Sequence, residues 1–260
     1  MSNQVLVSNE VVERLKEFPV LLDKLLRLEE KQNIVKELRK SNGELDKPIV
    51  VTITGTPRAG KTTCINNLYD FLKKTGFRTE CLEEPAGLVY KTLKNSEEKA
   101  ELLSNRVGFV DRQFEIATED IKKHQESNEI LLCDRGVMDT AIWYEMYYQQ
   151  GLIGEEKLSM IRQKYHCDHD YYNWLYLLSA TPSAAIERDV LNSLSLAPRT
   201  TMNIMGVTNY NQAMDNLNFQ FQQASDIYRA IDTSNLDRMD ASIIAVNDIL
   251  DNVSSLYLRR

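Results

Sequence analysis

This sequence lacks a long apolar run, a cysteine framework and an excess of basic charge, and each absence removes a class of function. Its apolar stretches are only a few residues long, and Met1-Ser2-Asn3-Gln4 does not begin a basic segment followed by an apolar one. Neither a membrane span nor a secretory leader is expected, which predicts a cytoplasmic chain with no membrane partner. The four cysteines, Cys64, Cys81, Cys133 and Cys167, are widely spaced and form no C-x-x-C pair. Three fall in segments that read as core strand or helix, where a free thiol behaves as a small apolar group. The run His166-Cys167-Asp168-His169 has metal-capable side chains but no second cluster to complete a ligand set, and it reads as a surface turn leading into a strand. With 31 Lys and Arg against 38 Asp and Glu, the net charge is −7. Such a field repels nucleic acid and anionic lipid but leaves room for a local basic pocket. There is no internal repeat and no low-complexity segment.

A length of 260 residues with 43% hydrophobic content suits one substantial α/β core with an appendage. Residues 9–41 are rich in Leu, Lys and Glu, with Leu21, Leu25, Leu28, Val35 and Leu38 spaced as helical faces. Pro19 divides them into two helices, and Asn42-Gly43 stops the second. We therefore expect an N-terminal helical extension over 1–47 and a separate main domain over 48–260. The extension is either an arm packed on the domain's own surface or a pairing helix for a homodimer; both readings stay open at this point.

From Pro48 onward the pattern is strand, turn, helix, repeated, as in a parallel sheet with crossover helices. Residues 49–54 are β-branched and almost wholly apolar, like a buried central strand. A helix is expected over 61–74, strands over 78–82, 129–134, 174–179 and 228–233, and one long helix or a broken pair over 97–123.

The most specific feature is Gly55-Thr56-Pro57-Arg58-Ala59-Gly60-Lys61-Thr62, which has the G-x-x-x-x-G-K-[ST] pattern. Backbone amides in such a loop point at phosphate oxygens, and the following helix adds the positive end of its dipole. Lys61 is placed to reach the β- and γ-phosphates, Thr62 to ligate Mg²⁺, and Thr63 offers a second hydroxyl in the same turn. An apolar strand ends just before Gly55 and a helical pattern starts at Lys61, the context this motif requires. Asp134-Arg135-Gly136 closes the third expected strand, where open α/β sheets place their ligand crevice. Asp134 there can hold Mg²⁺ through water, and Arg135 can neutralise phosphate charge. Asp139 is either a helix cap or a contact to the acceptor. Glu83-Glu84-Pro85 follows the second strand, and one of these carboxylates can act as a general base toward an acceptor hydroxyl.

These residues, with the block from Glu101-Leu102-Leu103 to Arg112 and Ile231-Asp232-Thr233-Ser234, resemble the thymidylate kinase and deoxynucleoside kinase branch of P-loop phosphotransferases. The resemblance runs from residue 48 to about 250. The Asp-Arg-Gly form followed by Asp139 is also similar to the ATPase group that includes nicotinamide riboside kinase domains. The resemblance implies a three-layer P-loop kinase fold with a five-stranded parallel sheet, and MgATP-dependent transfer to a nucleoside or nucleoside monophosphate. It implies Glu84 as base, Asp134 as the magnesium-side carboxylate and Arg135 at the acceptor's reacting end. It places Arg106, Arg112 and Gln113 on the helix lining the acceptor pocket. Arg188 and Arg199 flank a lid segment, and Arg188, taken to open a helix after a strand, is preferred as the arginine serving the transferred phosphoryl group. The chain departs from the family where Ala86-Gly87-Leu88 replaces a Gly-Gly-Thr run and where Gly136 stands in place of Tyr. A second reading is a nucleotide-dependent switch or scaffold acting through the N-terminal helices, though the guanine-reading Asn-Lys-x-Asp motif is absent.

Overall fold

The computed structural model describes residues 19–93, 96–167, 173–189, 204–236 and 239–259. Five strands, β1 (Ile49–Gly55), β2 (Thr79–Leu82), β3 (Ile130–Asp134), β4 (Trp174–Ser179) and β5 (Ile227–Asp232), form one sheet in the order β2-β3-β1-β4-β5. All four pairings are parallel. β1 is central, and all seven of its residues are buried, which explains its unbroken apolar and β-branched composition.

Alternation along the strands divides the core into two layers. Ile49, Val51 and Ile53 of β1 join Ile130, Leu132, Tyr176 and Leu178 on one face. That face is covered by α1 (Pro19–Asn42), α2 (Lys61–Thr75) and the C-terminal α10 (Asp240–Leu258). Val50, Leu131, Cys133, Leu175 and Leu177 point the other way, toward α5 (Arg106–Gln125), α6 (Gly136–Gln149) and α9 (Ile204–Ala224). The remaining helices are α3 (Pro85–Thr92), α4 (Ser96–Ser104), α7 (Glu155–Cys167) and α8 (Pro182–Glu187). This is the expected three-layer α/β architecture with its phosphate-loop strand in the middle.

α1 lies against its own domain. Leu28 and Val35 enter the same core layer as β1 and α10, and Gln32 donates to Thr75 Oγ1 at 2.9 Å. At its C-terminal end the guanidinium of Arg39 grips Glu129, with Nη2 2.7 Å from Oε2, and stacks over Phe77 at 5.0 Å. Glu129 also accepts from the backbone amides of Leu45 and Arg78, each at 3.0 Å. The described part of the arm thus packs one face on its own domain.

Several expectations are refined. The 97–123 segment is a broken pair, because Asn105 accepts from the amide of Gly108 at 3.0 Å and caps α5. Arg188 does not open a helix: Thr181 caps α8 by accepting from Ala184, with Pro182 in the first turn, so the helix starts earlier and Arg188 closes it. Cys64 and Cys133 are buried thiols, but Cys81 is exposed, because β2 is an edge strand. Cys167 ends α7 instead of sitting in a turn, and Asp168 and His169 lie outside the described residues, as does Arg199. Among the described residues no helix is long and apolar enough to cross a membrane.

Candidate active site

The crevice forms at the carboxyl ends of β1, β3 and β4. Gly55 ends β1 with φ of 135°, and a Cβ built on it would stand 1.8 Å from the carbonyl oxygen of Leu178. A glycine is therefore required for β1 to stay paired with β4 while the chain turns. The amide of Thr56 donates to that same carbonyl at 2.9 Å. Gly60, with φ of 89°, is the left-handed residue from which α2 starts at Lys61. Thr56, Pro57 and Ala59 are buried, whereas Arg58, Gly60, Thr62 and Thr63 are exposed.

Lys61 is buried and curls back over the loop, donating to the carbonyls of Gly55 at 2.8 Å and Thr56 at 2.7 Å. Burial, with Arg135 nearby, lowers its pKa to about 7. An anionic group held in the loop favours the charged form of this lysine. Thr62 Oγ1 donates to Asp134 Oδ2 at 3.4 Å, since β3 lies beside β1 with Asp134 opposite Ile53. Among the described residues no group of three or more His, Cys, Asp or Glu side chains could hold a metal. One hydroxyl and one carboxylate beside a phosphate cradle nevertheless suit Mg²⁺, which keeps several waters and takes phosphate oxygens as ligands.

Arg135 connects this cradle to the acidic side of the crevice. Its backbone adopts φ of 68°, and its amide donates to Ile53 at 2.9 Å. Nε lies 2.7 Å from Glu84 Oε1, and Nη1 lies 3.3 Å from Asp139 Oδ1. Asp139 is the buried brace behind it. Its Oδ1 also accepts from Thr54 at 2.9 Å and from the Tyr210 hydroxyl, and its Oδ2 accepts from Trp143 Nε1 at 2.8 Å. Burial opposes ionisation of Asp139, but Arg135, Tyr210, Lys61 and Thr54 together hold its pKa below the usual carboxylate range. In Glu84 the balance is reversed, and burial raises its pKa despite Arg135.

The other sequence candidates are placed as follows. Glu83 turns outward to an exposed pair with Lys91. On α5, Gln113 is buried, Arg106 is exposed, and Arg112 pairs with Glu115 at 2.8 Å on the outer side. Arg188 is bound to the end of β5. Its Nη1 donates to Thr233 Oγ1 at 3.0 Å and its Nη2 to the carbonyl of Thr233, which tethers the end of α8 to the end of β5. The arginine that stands in the loop is Arg58, paired with Asp189 at 2.7 Å.

Sequence reasoning missed Trp143, Asp189, Tyr210 and Asn211. Trp143 was recoverable, because it follows Asp139 by four residues on one helix face. The other three come from segments remote from their partners, and no local spacing announces them.

A parallel sheet in this order, with a glycine-lysine phosphate loop on the central strand and a carboxylate ending the strand beside it, defines a P-loop nucleotide-binding protein. The family described as AAA domain matches residues 50–221, well over half of the chain, and the chain belongs to that family. Among solved structures it is similar to deoxyadenosine kinase from M. mycoides with bound dATP, at 15% identity and a TM-score of 0.56, covering 78% of this chain and 99% of that one. The same enzyme with bound dCTP gives 15% identity and a TM-score of 0.55, covering 78% of this chain and 100% of that one. At this identity the likeness is one of fold. No curated protein matches the chain.

Proposed function

We propose that the chain catalyses MgATP-dependent phosphoryl transfer to a small acceptor, a nucleoside or nucleoside monophosphate. The observation that carries this reading is the Glu84–Arg135 pair at 2.7 Å, joined through Arg135 to the strand end that bears Asp134. A hydrolytic switch needs no carboxylate whose pKa is raised beside a cation, whereas a kinase needs a base near the acceptor hydroxyl and a positive group at its reacting end. In this arrangement the loop amides and Lys61 hold the triphosphate, Thr62 and Asp134 face the magnesium ion, and Glu84 takes the acceptor proton. Arg135, kept in place by Asp139, orients the acceptor. Tyr90, on the helix that Glu84 opens, packs against Phe109 of α5 with ring centroids 5.4 Å apart, and such faces suit a planar base. The fold shared with a deoxynucleoside kinase supports the same acceptor class.

The test is ADP release with MgATP against a panel of nucleosides and nucleoside monophosphates. Turnover that depends on one acceptor class is expected. Lys61→Ala should abolish triphosphate binding, and Glu84→Gln should bind the triphosphate but turn over at least about a hundredfold more slowly, the low end of about 10²–10⁴ for general base catalysis. Slow hydrolysis indifferent to every acceptor would instead indicate a nucleotide-dependent switch.

A further inference from the structure

The phosphate loop is fastened from outside by two side chains that the sequence does not mark. Thr56, fully buried, donates its hydroxyl to Asn211 Oδ1 on α9. Asn211 Nδ2 in turn donates to the carbonyl of Ala180, just past β4, at 2.9 Å. One amide thus bridges the loop to the exit of the neighbouring strand, and its orientation is set by the Ala180 carbonyl, which can only accept and so leaves Oδ1 for the Thr56 hydroxyl. Two residues on, Arg58 adopts φ of 62°. A non-glycine residue there is strained and persists where its surroundings over-determine it. The restraint is Asp189, a buried carboxylate 2.7 Å from Arg58 Nη2.

From this we infer that Asn211 and Asp189 are positioning residues, which hold the phosphate loop in the shape that receives a nucleoside triphosphate. Neither needs to touch the nucleotide. A loop amide contributes to phosphate binding only when it already points inward, so each anchor raises the fraction of molecules in the receiving shape. Apparent affinity falls in proportion when that fraction falls. If an unanchored loop spends about a tenth of its time in that shape, the triphosphate binds about tenfold more weakly. Two separate anchors explain why a loop with only two glycines, Gly55 and Gly60, keeps Thr56 and Arg58 in place.

The inference rests on the loop binding a triphosphate, and the experiment separates the two ideas. Calorimetric titration of the full chain with MgATP is compared for wild type, Asn211→Leu, Thr56→Val, their double variant, Thr56→Ser, Asp189→Asn and Asp189→Glu, with thermal midpoints recorded alongside. Each of the three single removals is expected to raise Kd about tenfold. The double variant should be no worse than its poorer parent, because both changes break one link. Thr56→Ser, which restores the hydroxyl, and Asp189→Glu, which restores the charge, should recover affinity, as a general loss of packing would not allow. If wild type binds MgATP and both Asn211→Leu and Asp189→Asn stay within twofold of it, the positioning role is overturned while the nucleotide site stands. If wild type binds no triphosphate, both ideas fail. Thr56→Val and Thr56→Ser keep the test decisive should Asn211→Leu fold poorly.

Discussion

Replacing Asp139 by Asn changes one charge and almost no volume, at the point where β1, α6, α9 and Arg135 meet. The carboxylate is 4% exposed and faces a guanidinium that is 12% exposed. Taking one partner from a buried ion pair costs about 3–5 kcal/mol, and because Arg135 keeps Glu84 at 2.7 Å as a second partner, the lower part of that range applies here. The substitution also forces an amide NH₂ toward donors, since both carboxylate oxygens accept: Thr54, Tyr210 and Arg135 on one, Trp143 on the other. At about 2–4 °C per kcal/mol for a chain of this size, Asp139→Asn should lower Tm by about 10 °C. A second effect follows at the phosphate loop. Asp139 helps to keep Lys61 charged, so its loss moves the lysine pKa further below about 7 and should weaken triphosphate binding at neutral pH. Tyr210→Phe, which removes one of the donors and no charge, should cost only about 1–2 kcal/mol. Thermal unfolding followed by circular dichroism measures all three proteins. A Tm for Asp139→Asn within about 3 °C of wild type, or no lower than that of Tyr210→Phe, would refute the reasoning, since by the same conversion it would mean that the buried charge pair contributes under about 1.5 kcal/mol.

Glu129 supplies a pH-dependent tie between α1 and the sheet. Burial opposes its ionisation, but Arg39 and the amides of Arg78 and Leu45 outweigh this and depress its pKa in the folded state. Its contribution is therefore complete above the unfolded carboxyl pKa and is lost as pH falls through the lower, folded value. Urea midpoints from pH 7 to pH 3 should fall more steeply for wild type than for Glu129→Gln, and parallel curves would rule the tie out. Gly55→Ala should cost at least about 3 kcal/mol and disturb β1–β4 pairing, because its Cβ would overlap the Leu178 carbonyl; amide exchange along β4 reports this, and unchanged protection would count against it. Leu28→Ala should cost about 2–4 kcal/mol, because that side chain lies in the core. Leu26→Ala, at a residue 45% exposed, should stay within about 0.5 kcal/mol. Equal costs in denaturant unfolding would mean that the wrong face of α1 had been assigned to the core.

The strands, the phosphate loop and the strand-ending Asp134-Arg135 were legible in the sequence, because each is written in a local pattern. A run such as Ile49-Val50-Val51 answers to burial on both faces, and the Gly55 to Thr62 spacing answers to the backbone shape that phosphate demands. The two readings of residues 9–41 were equally compatible with their helical periodicity, since periodicity states that a face is apolar and not what covers it. Only the fold, by bringing α10 and Glu129 beneath α1, showed what covers the buried face of the described part of the segment. The placement of Arg188 was also a tertiary matter. Its chain position after β4 suited a phosphate-directed arginine, yet the carbonyl of Thr233 and the early start of α8 at Thr181 turn it toward β5. Asp139, Tyr210 and Asn211 show the same division. Each is an ordinary polar residue in a helix, and it becomes part of a brace only when parallel strands and their crossovers carry segments 71 to 155 residues apart to the same end of one sheet.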